Sequence, residues 1–233
     1  MIRATIAGFT LVVASLCLPL PATAASCSSV MTATRTRDDR TQVTVMINGD
    51  AATSAGTLIA YGGDIAWSGS LPARPSGVTF TPWKTRWFSV RSGGPIEGLE
   101  FRPEAEACSL HAVVRASSQI RAPVINDVIV LSHSAPDELA RCATPFVDGR
   151  VLRAWPSDVP PMAQQQGIGG RVVVLVALDD HGTQQRVSVA RSPSAILNSS
   201  ALNAARQSTY SPAIFRCEPV AGAVEFYVDY LAQ

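Results

Sequence analysis

The sequence predicts an α+β protein with two regions, and three observations support this. Residues 25–118 contain short alternating apolar runs separated by Gly, Pro, Asn and Asp, which is typical of a small antiparallel β-sandwich. Residues 142–233 follow a different order, in which a hairpin precedes a helix and a last strand. Four cysteines follow an apolar leader, an even number that suits an oxidising compartment.

The leader, residues 1–24, has the features of a secretory signal peptide. Arg3 precedes an apolar run, and three small residues then favour cleavage before Ala25. Prolines interrupt the run, which is shorter than the roughly 18 to 20 apolar residues that a spanning helix needs. We therefore expect an exported chain without stable membrane insertion. Two alternatives stay open, an uncleaved anchor and a lipoprotein acylated at Cys27.

Charge and composition exclude some classes of function. The formal net charge is +1, and loss of Arg3 with the leader brings it to zero. The arginines are scattered rather than clustered, so we expect neither nucleic acid nor an anionic membrane as a partner. The 47% of hydrophobic residues fits a folded globular protein, and the length after residue 24 fits two small domains.

Within residues 25–118, each apolar run has the length of one strand. Val43, Val45 and Ile47 alternate with polar residues before an Asn-Gly-Asp turn signal. Similar runs predict further strands over residues 58–61, 65–67, 78–80, 87–90, 99–101 and 110–114. We interpret residues 119–141 as a connector, with strand character over 124–131 and one helical turn over 134–140.

The four cysteines after the leader are Cys27, Cys108, Cys142 and Cys217. They allow three pairings, and the sequence alone does not choose among them. None belongs to a C-x-x-C pair or lies at ligand spacing from a histidine, so a zinc site is not expected. From their positions, we expect Cys27 to pair with Cys108 across the first region. Cys142 would then pair with Cys217 and fasten the lead-in segment to the second region.

The second region begins with a short helix, predicted over residues 159–166 and ended by Gly167. Residues 171–178 are apolar on both faces, as expected for a strand at the centre of its sheet. Residues 179–182 form a hairpin turn, in which Gly182 can take the positive φ that such turns demand. The partner strand follows around residues 187–189.

A second helix and a last strand complete this region. Asn198 or Ser199 is expected to cap the helix, which ends before Pro212. Residues 224–230 alternate apolar and polar side chains, so one face of this strand belongs to the core and the other meets water.

This order of elements, with its residues, resembles the C-terminal domain of the TonB energy-transducer family. No matching residue is specific alone, but the ordered set is. The matching residues are Trp155, Pro156, Ala163, Gly167, Ile168, Gly170, Asp179, Gly182, Ser192, Ala201, Leu202, Ala204, Ala205, Tyr210, Pro212, Ala213 and Gly222. The resemblance covers about the last 80 to 90 residues. It implies a three-stranded sheet formed by a hairpin and the last strand, with a helix between them in sequence.

The resemblance also implies a partner and a place for it. In that family an extended peptide of an outer-membrane transporter adds as a strand beside the last strand of the domain. The implied binding edge here consists of Val224, Glu225, Phe226, Tyr227, Val228, Asp229 and Tyr230. The family's transducers carry a membrane anchor and a long Pro-rich span, which this sequence lacks. We therefore expect a periplasmic adaptor that binds a protein or peptide strand, accessory to outer-membrane transport.

Two other functions stay open. The chain could be a structural envelope protein that self-associates as a homodimer through an unpaired edge. It could also be a membrane-anchored energy transducer if the leader is not cleaved.

Catalysis is not expected. The sequence contains no G-x-S-x-G, H-E-x-x-H or S-x-x-K motif. His111, His133 and His181 lack partners that would form a catalytic set, and Asp179 and Asp180 are turn residues rather than a carboxylate pair. We therefore expect no enzyme activity, cofactor or metal.

Overall fold

The computed structural model describes residues 28–35, 39–74, 85–116, 127–137 and 142–231. Three predictions lie outside these residues: the leader over 1–24, the strand over 78–80 and the pairing of Cys27. Among the described residues, no helix is long and apolar enough to cross a membrane.

The first region forms one sheet of nine strands. In chain order these are β1 (Val30–Arg35), β2 (Gln42–Asn48), β3 (Gly56–Gly62), β4 (Ile65–Leu71), β5 (Thr85–Arg91), β6 (Gly98–Pro103), β7 (Leu110–Ala116), β8 (Val128–Val130) and β9 (His133–Pro136). Six of these strands contain the runs predicted over 43–47, 58–61, 65–67, 87–90, 99–101 and 110–114. The predictions for these runs are confirmed, whereas β1 was not predicted.

Alternation of apolar side chains builds one core for this sheet. Val43, Val45 and Ile47 of β2 lie on the same face as Phe88 and Val90 of β5, and all five are fully buried. Because successive side chains of a strand point to opposite faces, the residues between them, Thr44, Met46 and Ser89, lie on the outer face. The same cluster includes buried residues of β3, β4, β6 and β7, so every long strand contributes to it.

The sheet is curled rather than divided into two layers. Its strand order is β8-β5-β2-β1-β7-β6-β3-β4-β9, and β8 and β9 are separated only by Leu131 and Ser132. This short segment therefore joins the two ends of the sheet. Gly69 of β4 permits the close approach, since a Cβ there would lie 2.9 Å from Cδ2 of Leu131. The predicted antiparallel sandwich is corrected to a curled sheet, in which β1–β7 and β5–β8 pair in parallel.

The described part of the predicted connector, residues 119–141, contains two strands. β8 pairs with β5 and lies within residues 124–131, where the prediction of strand character is confirmed. β9 pairs with β4. The helical turn expected over 134–140 is strand as far as Pro136. Pairing with the exposed edge of β4 outweighs the weak local preference for a turn.

The second region contains three small sheets and two helices. In chain order its elements are β10 (Phe146–Val147), β11 (Arg150–Arg153), α1 (Pro161–Gln165), β12 (Gly170–Leu178), β13 (Gln184–Arg191), α2 (Asn198–Gln207), β14 (Thr209–Ser211), β15 (Ala213–Phe215), β16 (Glu218–Val220) and β17 (Gly222–Tyr230). The main sheet has the order β13-β12-β17, so the prediction of β12 as its central strand is confirmed. β10, β15 and β16 form a second sheet, and β11 and β14 form a third.

Helix α2 covers one face of the main sheet. Ala201, Ala204 and Ala205 of the helix are buried against Val174 and Phe226 within one apolar cluster. Small residues at these positions let the helix lie close to the sheet. β12 is apolar on both faces because its even-numbered residues face α2 and its odd-numbered residues face the first region.

The cap predicted for α2 is wrong. A 3-10 turn over Ala195–Leu197 precedes the helix, and neither Asn198 nor Ser199 caps it. Ser194 takes that role one turn earlier, where its hydroxyl accepts a hydrogen bond from the Ile196 amide at 3.4 Å. The helical segment thus begins before the polar residues that signal its start in the sequence.

The two regions pack against each other at two places. At the first, Leu175, Ala177 and Ala223 of the main sheet form a buried cluster with Val30 and Met46 of the nine-stranded sheet. The odd-numbered face of β12 is therefore apolar because it packs against the nine-stranded sheet, which covers part of it.

At the second place, aromatic side chains of the second region lie on the outer face of β3, β6 and β7. Phe146 and Phe215 contact each other with ring centroids 5.2 Å apart, and Phe215 lies 5.5 Å from Tyr61 and 4.8 Å from His111. Gly98 makes room for them, because a Cβ there would lie 2.5 Å from the Phe146 ring.

Candidate functional site

The candidate site is the outer edge of β17. This strand pairs with β12 along its whole length, from Gly222 opposite Leu178 to Tyr230 opposite Gly170. Within the described part of the chain, no strand pairs with its other side. An unpaired edge presents backbone N–H and C=O groups that can bond to an incoming strand.

The two faces of β17 differ in character, as predicted from the alternation. Val224, Phe226 and Tyr230 are buried on the side of α2. On the other face, Tyr227 is 50% exposed, Asp229 is exposed and Glu225 is partly buried. A strand that adds here would therefore meet an apolar side and a polar side.

The polar side chains of β17 form a row with Arg171 of β12. The Arg171 guanidinium donates two hydrogen bonds to the Asp229 carboxylate, at 2.7 and 2.9 Å. Its Cζ also lies 5.6 Å from the centroid of the Tyr227 ring, a cation–π distance. The Tyr227 hydroxyl donates to Glu225. Tyr227 is thus held between a cation and a carboxylate.

These contacts change the acidity of the groups in the row. The hydrogen bonds from Arg171 hold the pKa of Asp229 below its ordinary value. Partial burial, together with the hydrogen bond to Glu225, raises the pKa of Tyr227 to about 12. At neutral pH Asp229 is therefore a carboxylate and Tyr227 a neutral phenol.

The first residues of β17 are covered by other parts of the molecule. Arg115 at the end of β7 donates to the Ala223 carbonyl at 2.6 Å and to Asp148 at 2.9 Å. Ala213 lies beside Gly222, and a side chain at residue 149 would touch Val224. From Glu225 onward, the outer side of β17 has neither these contacts nor a paired strand among the described residues. We call this stretch the open part of the edge.

A disulfide fastens the segment before this sheet. The predicted bond between Cys142 and Cys217 is confirmed. Next to it, Arg216 donates to Asp137 at 2.8 Å, and its guanidinium lies 5.1 Å from the Tyr61 ring centroid. Cys108 is also disulfide-bonded, while its predicted partner Cys27 lies outside the described residues.

The motif residues that carry the family resemblance support the fold rather than the edge. Gly170 has a φ of +126° and Gly182 a φ of +81°, conformations that favour glycine. A Cβ at Gly182 would also approach Pro212 at 3.1 Å. Trp155 donates its amide to the Ser208 hydroxyl at 2.9 Å, which places Pro156 along α2. These residues shape the turn and helix that position β17.

The three histidines lie in different elements, and His181 belongs to the acidic turn, where its ring contacts the Asp180 carboxylate at 2.6 Å. His111 packs on Phe215, His133 lies in β9 and His181 lies in the hairpin turn, well apart in the fold. The Asp179 carboxylate accepts backbone hydrogen bonds from His181 and Thr183, at 3.0 and 2.7 Å. It therefore has the structural role that the turn pattern predicts.

Two residues beside the edge were not identified from the sequence. Arg115 and Arg171 lie 56 positions apart, and each meets β17 only through tertiary pairing. For Arg171 a signal existed, because antiparallel pairing of the two apolar strands places it opposite Asp229. Nothing near Arg115 in the sequence indicates its contact with Ala223.

Comparison with known families agrees with this architecture. The family described as Gram-negative bacterial TonB protein C-terminal matches residues 156–231. The match covers about a third of the chain and includes α1, the main sheet and α2. The C-terminal part is therefore a domain of this type, and the resemblance noted in the sequence is confirmed. A search of curated proteins finds no match to the chain.

Proposed function

We propose that this protein is an exported periplasmic adaptor that binds an extended protein segment by strand addition at β17. Its partner class is a peptide strand of an envelope protein, with an outer-membrane transporter as the leading member. Binding, rather than a chemical reaction, is its activity.

The unpaired edge of β17 in a domain of the TonB C-terminal type carries this proposal. Strand addition is the recognition mode of such domains, and it needs a free row of backbone groups. Glu225 and Asp229 flank that row with charge, which discourages indiscriminate pairing with other strands. Packing on the first region holds the sheet in place, so an incoming strand meets a preformed edge.

Photo-crosslinking from β17 tests the proposal. A photoreactive residue at position 229 is expected to form crosslinks to a partner in envelope extract, and mass spectrometry then identifies the linked segment. The matched control is the same residue at position 191 on β13, the opposite edge strand of the sheet. Equal crosslinking from both positions would rule out β17 as the binding edge.

Proline substitution tests the backbone bonds themselves. Proline lacks an N–H, so it removes one donor from an edge without changing the rest of the sheet. Successive amides of a strand point to opposite sides, so one of Tyr227→Pro and Val228→Pro removes a donor from the open side. That variant is expected to stay folded by circular dichroism and to lose binding, whereas Tyr227→Thr keeps it.

Self-association is the competing function, and sedimentation distinguishes it. A monomer at about 0.1 mM, with a partner crosslinked at position 229, supports the adaptor. A dimer abolished by the edge proline would instead show that the edge serves a second copy of the chain.

A further inference from the structure

We infer that the open part of the β17 edge selects segments with two basic side chains on either side of a β-branched or aromatic residue. These three side chains lie on the partner's face opposite α2. This selectivity rests on the proposed function, and it names the chemistry of the partner.

The length of the selected segment follows from the covered start of β17. Arg115, Ala213 and Gly149 occupy the surroundings of residues 222–224. From Glu225 to Tyr230 no strand of the described residues pairs with the edge, and six residues of strand span about 20 Å. Only this stretch is available for a full ladder of backbone bonds.

The chemistry follows from the side chains that share one face of this stretch. Glu225, Tyr227 and Asp229 are two residues apart, so they line one face as an acidic–aromatic–acidic row. Residues directly opposite on neighbouring strands approach within about 4.5–5.5 Å at Cβ. Opposite charges stabilise such pairs, and like charges destabilise them.

The arginines near the row do not replace a basic partner. Arg171 belongs to β12, so it reaches Asp229 from the side of the sheet away from the edge. The Asp229 side chain remains 57% exposed in spite of this contact. Arg115 is paired with Asp148 at the covered end of the strand. The side of Glu225 and Asp229 toward an incoming strand is therefore acidic.

Tyr227 sets the preference at the centre of the row. It lies opposite Val173 of β12, which is only 8% exposed, and is itself 50% exposed. Aromatic side chains pair well with aromatic or β-branched residues on a neighbouring strand. Because the row is symmetric about Tyr227, a parallel or an antiparallel partner presents the same pattern.

Two designed peptides test the selectivity on the full-length protein. Both have seven residues, with valine at the fourth position and threonine or isoleucine at the odd positions. One has lysine at its second and sixth positions, and the other has glutamate there. Binding is measured by NMR from the amide shifts of ¹⁵N-labelled protein over residues 225–230.

The lysine peptide is expected to bind about five- to tenfold more tightly than the glutamate peptide. The difference should shrink at about 0.5 M salt, because exposed charge pairs are screened. Glu225→Gln should reduce the preference by about two- to threefold, whereas Glu218→Gln on β16 should leave it unchanged.

The outcomes separate the selectivity from the proposed function. Equal binding of both peptides at residues 225–230, or tighter binding of the glutamate peptide, overturns the selectivity while strand addition stands. No shift of these amides with either peptide overturns both. Loss of the lysine preference in Glu218→Gln would show that the preference arises elsewhere on the surface.

Discussion

The two main sheets of this protein differ at their edges. In the nine-stranded sheet, β8 covers residues 89–91 of β5 and β9 covers residues 65–68 of β4, so each long outer strand is paired over part of its outer side. In the main sheet of the second region, β17 has no strand along its outer side among the described residues. A covered edge resists further pairing, and an unpaired one invites it. The proposed binding edge therefore lies in the second region, and the larger core lies in the first.

The largest expected effect is a difference in stability between a variant in the core of the nine-stranded sheet and a variant on the exposed face of β17. Phe88→Ala removes a fully buried ring from the nine-stranded sheet and should lower the free energy of unfolding by about 3–5 kcal/mol. Tyr227→Ala, on the half-exposed face, should lower it by about 0.5 kcal/mol. Urea denaturation of both variants measures the contrast. Similar losses of unfolding free energy in the two variants would contradict the assignment of Phe88 to the core and of Tyr227 to the surface.

The disulfide between Cys142 and Cys217 stabilises the second region, where it closes a long loop. Replacing Cys142 and Cys217 by serine frees a loop of 75 residues in the unfolded chain. The chain-entropy argument predicts a loss of about 4 kcal/mol in the free energy of unfolding. Denaturation of the double variant beside the oxidised wild type provides the measurement. A loss below about 1 kcal/mol would show that the segment is held by packing alone.

The aromatic contact between the two regions, formed by Tyr61, His111, Phe146 and Phe215 and called the seam below, provides a test of whether packing on the first region stabilises β17. Gly98→Val places a side chain where Phe146 and Phe215 lie, and overpacking should lower the free energy of unfolding by about 1–3 kcal/mol. Amides of β17 should then exchange faster with solvent. Thr57→Val, on an exposed position of β3, is the control. If β17 exchange stays unchanged in Gly98→Val, the seam does not stabilise the edge.

The smallest expected effect is a dependence of the seam on pH. Burial lowers the pKa of His111 below 6.5, with Glu100 opposing this shift and Arg102 adding to it. Below pH 6.5 the unfolded chain then binds more protons than the folded one, so stability falls as pH falls. Urea midpoints at pH 7.5 and 5.5 should show this loss in the wild type and less of it in His111→Gln.

Asp148 changes stability in the opposite direction at lower pH. Burial raises the pKa of this carboxyl, in spite of its ion pair with Arg115. The folded state then binds its proton first, so this group favours folding as pH falls toward its folded pKa. The comparison of the wild type with His111→Gln at the same two pH values separates the two effects, because Asp148 is present in both proteins. An equal loss in wild type and His111→Gln would assign the effect to another group.

Periodicity predicted the main sheet and the helices of the second region, but not its short strands β10, β11, β14, β15 and β16. The double-sided apolar run of β12 identified a central strand, and the alternation of β17 identified its buried and wet faces. Both signals are local, because they follow from which side chains alternate. The helix start was missed because Ser194 competes with Asn198 and Ser199 as a cap, and their types do not differ enough to decide.

The first region was harder to predict for a physical reason. Most of its strands were found, but their order depends on pairing between distant segments, such as β1 with β7 in parallel. Alternation gives the face of a strand and not its neighbour. The same limit hid Arg115, whose contact with Ala223 depends on how two sheets pack. The candidate edge could be predicted, whereas its covered start could not.

The short segment that joins β8 to β9 also has a consequence for how the chain folds during synthesis. Until residue 136 has emerged, the outer sides of β4 and β5 remain without their partners. Parallel pairing of β1 with β7 adds a contact between segments about 80 residues apart, and such distant contacts form slowly. The hairpin of β12 and β13, by contrast, is local and forms early once made. The strands of the first region therefore wait longer for their partners after synthesis than the strands of this hairpin do.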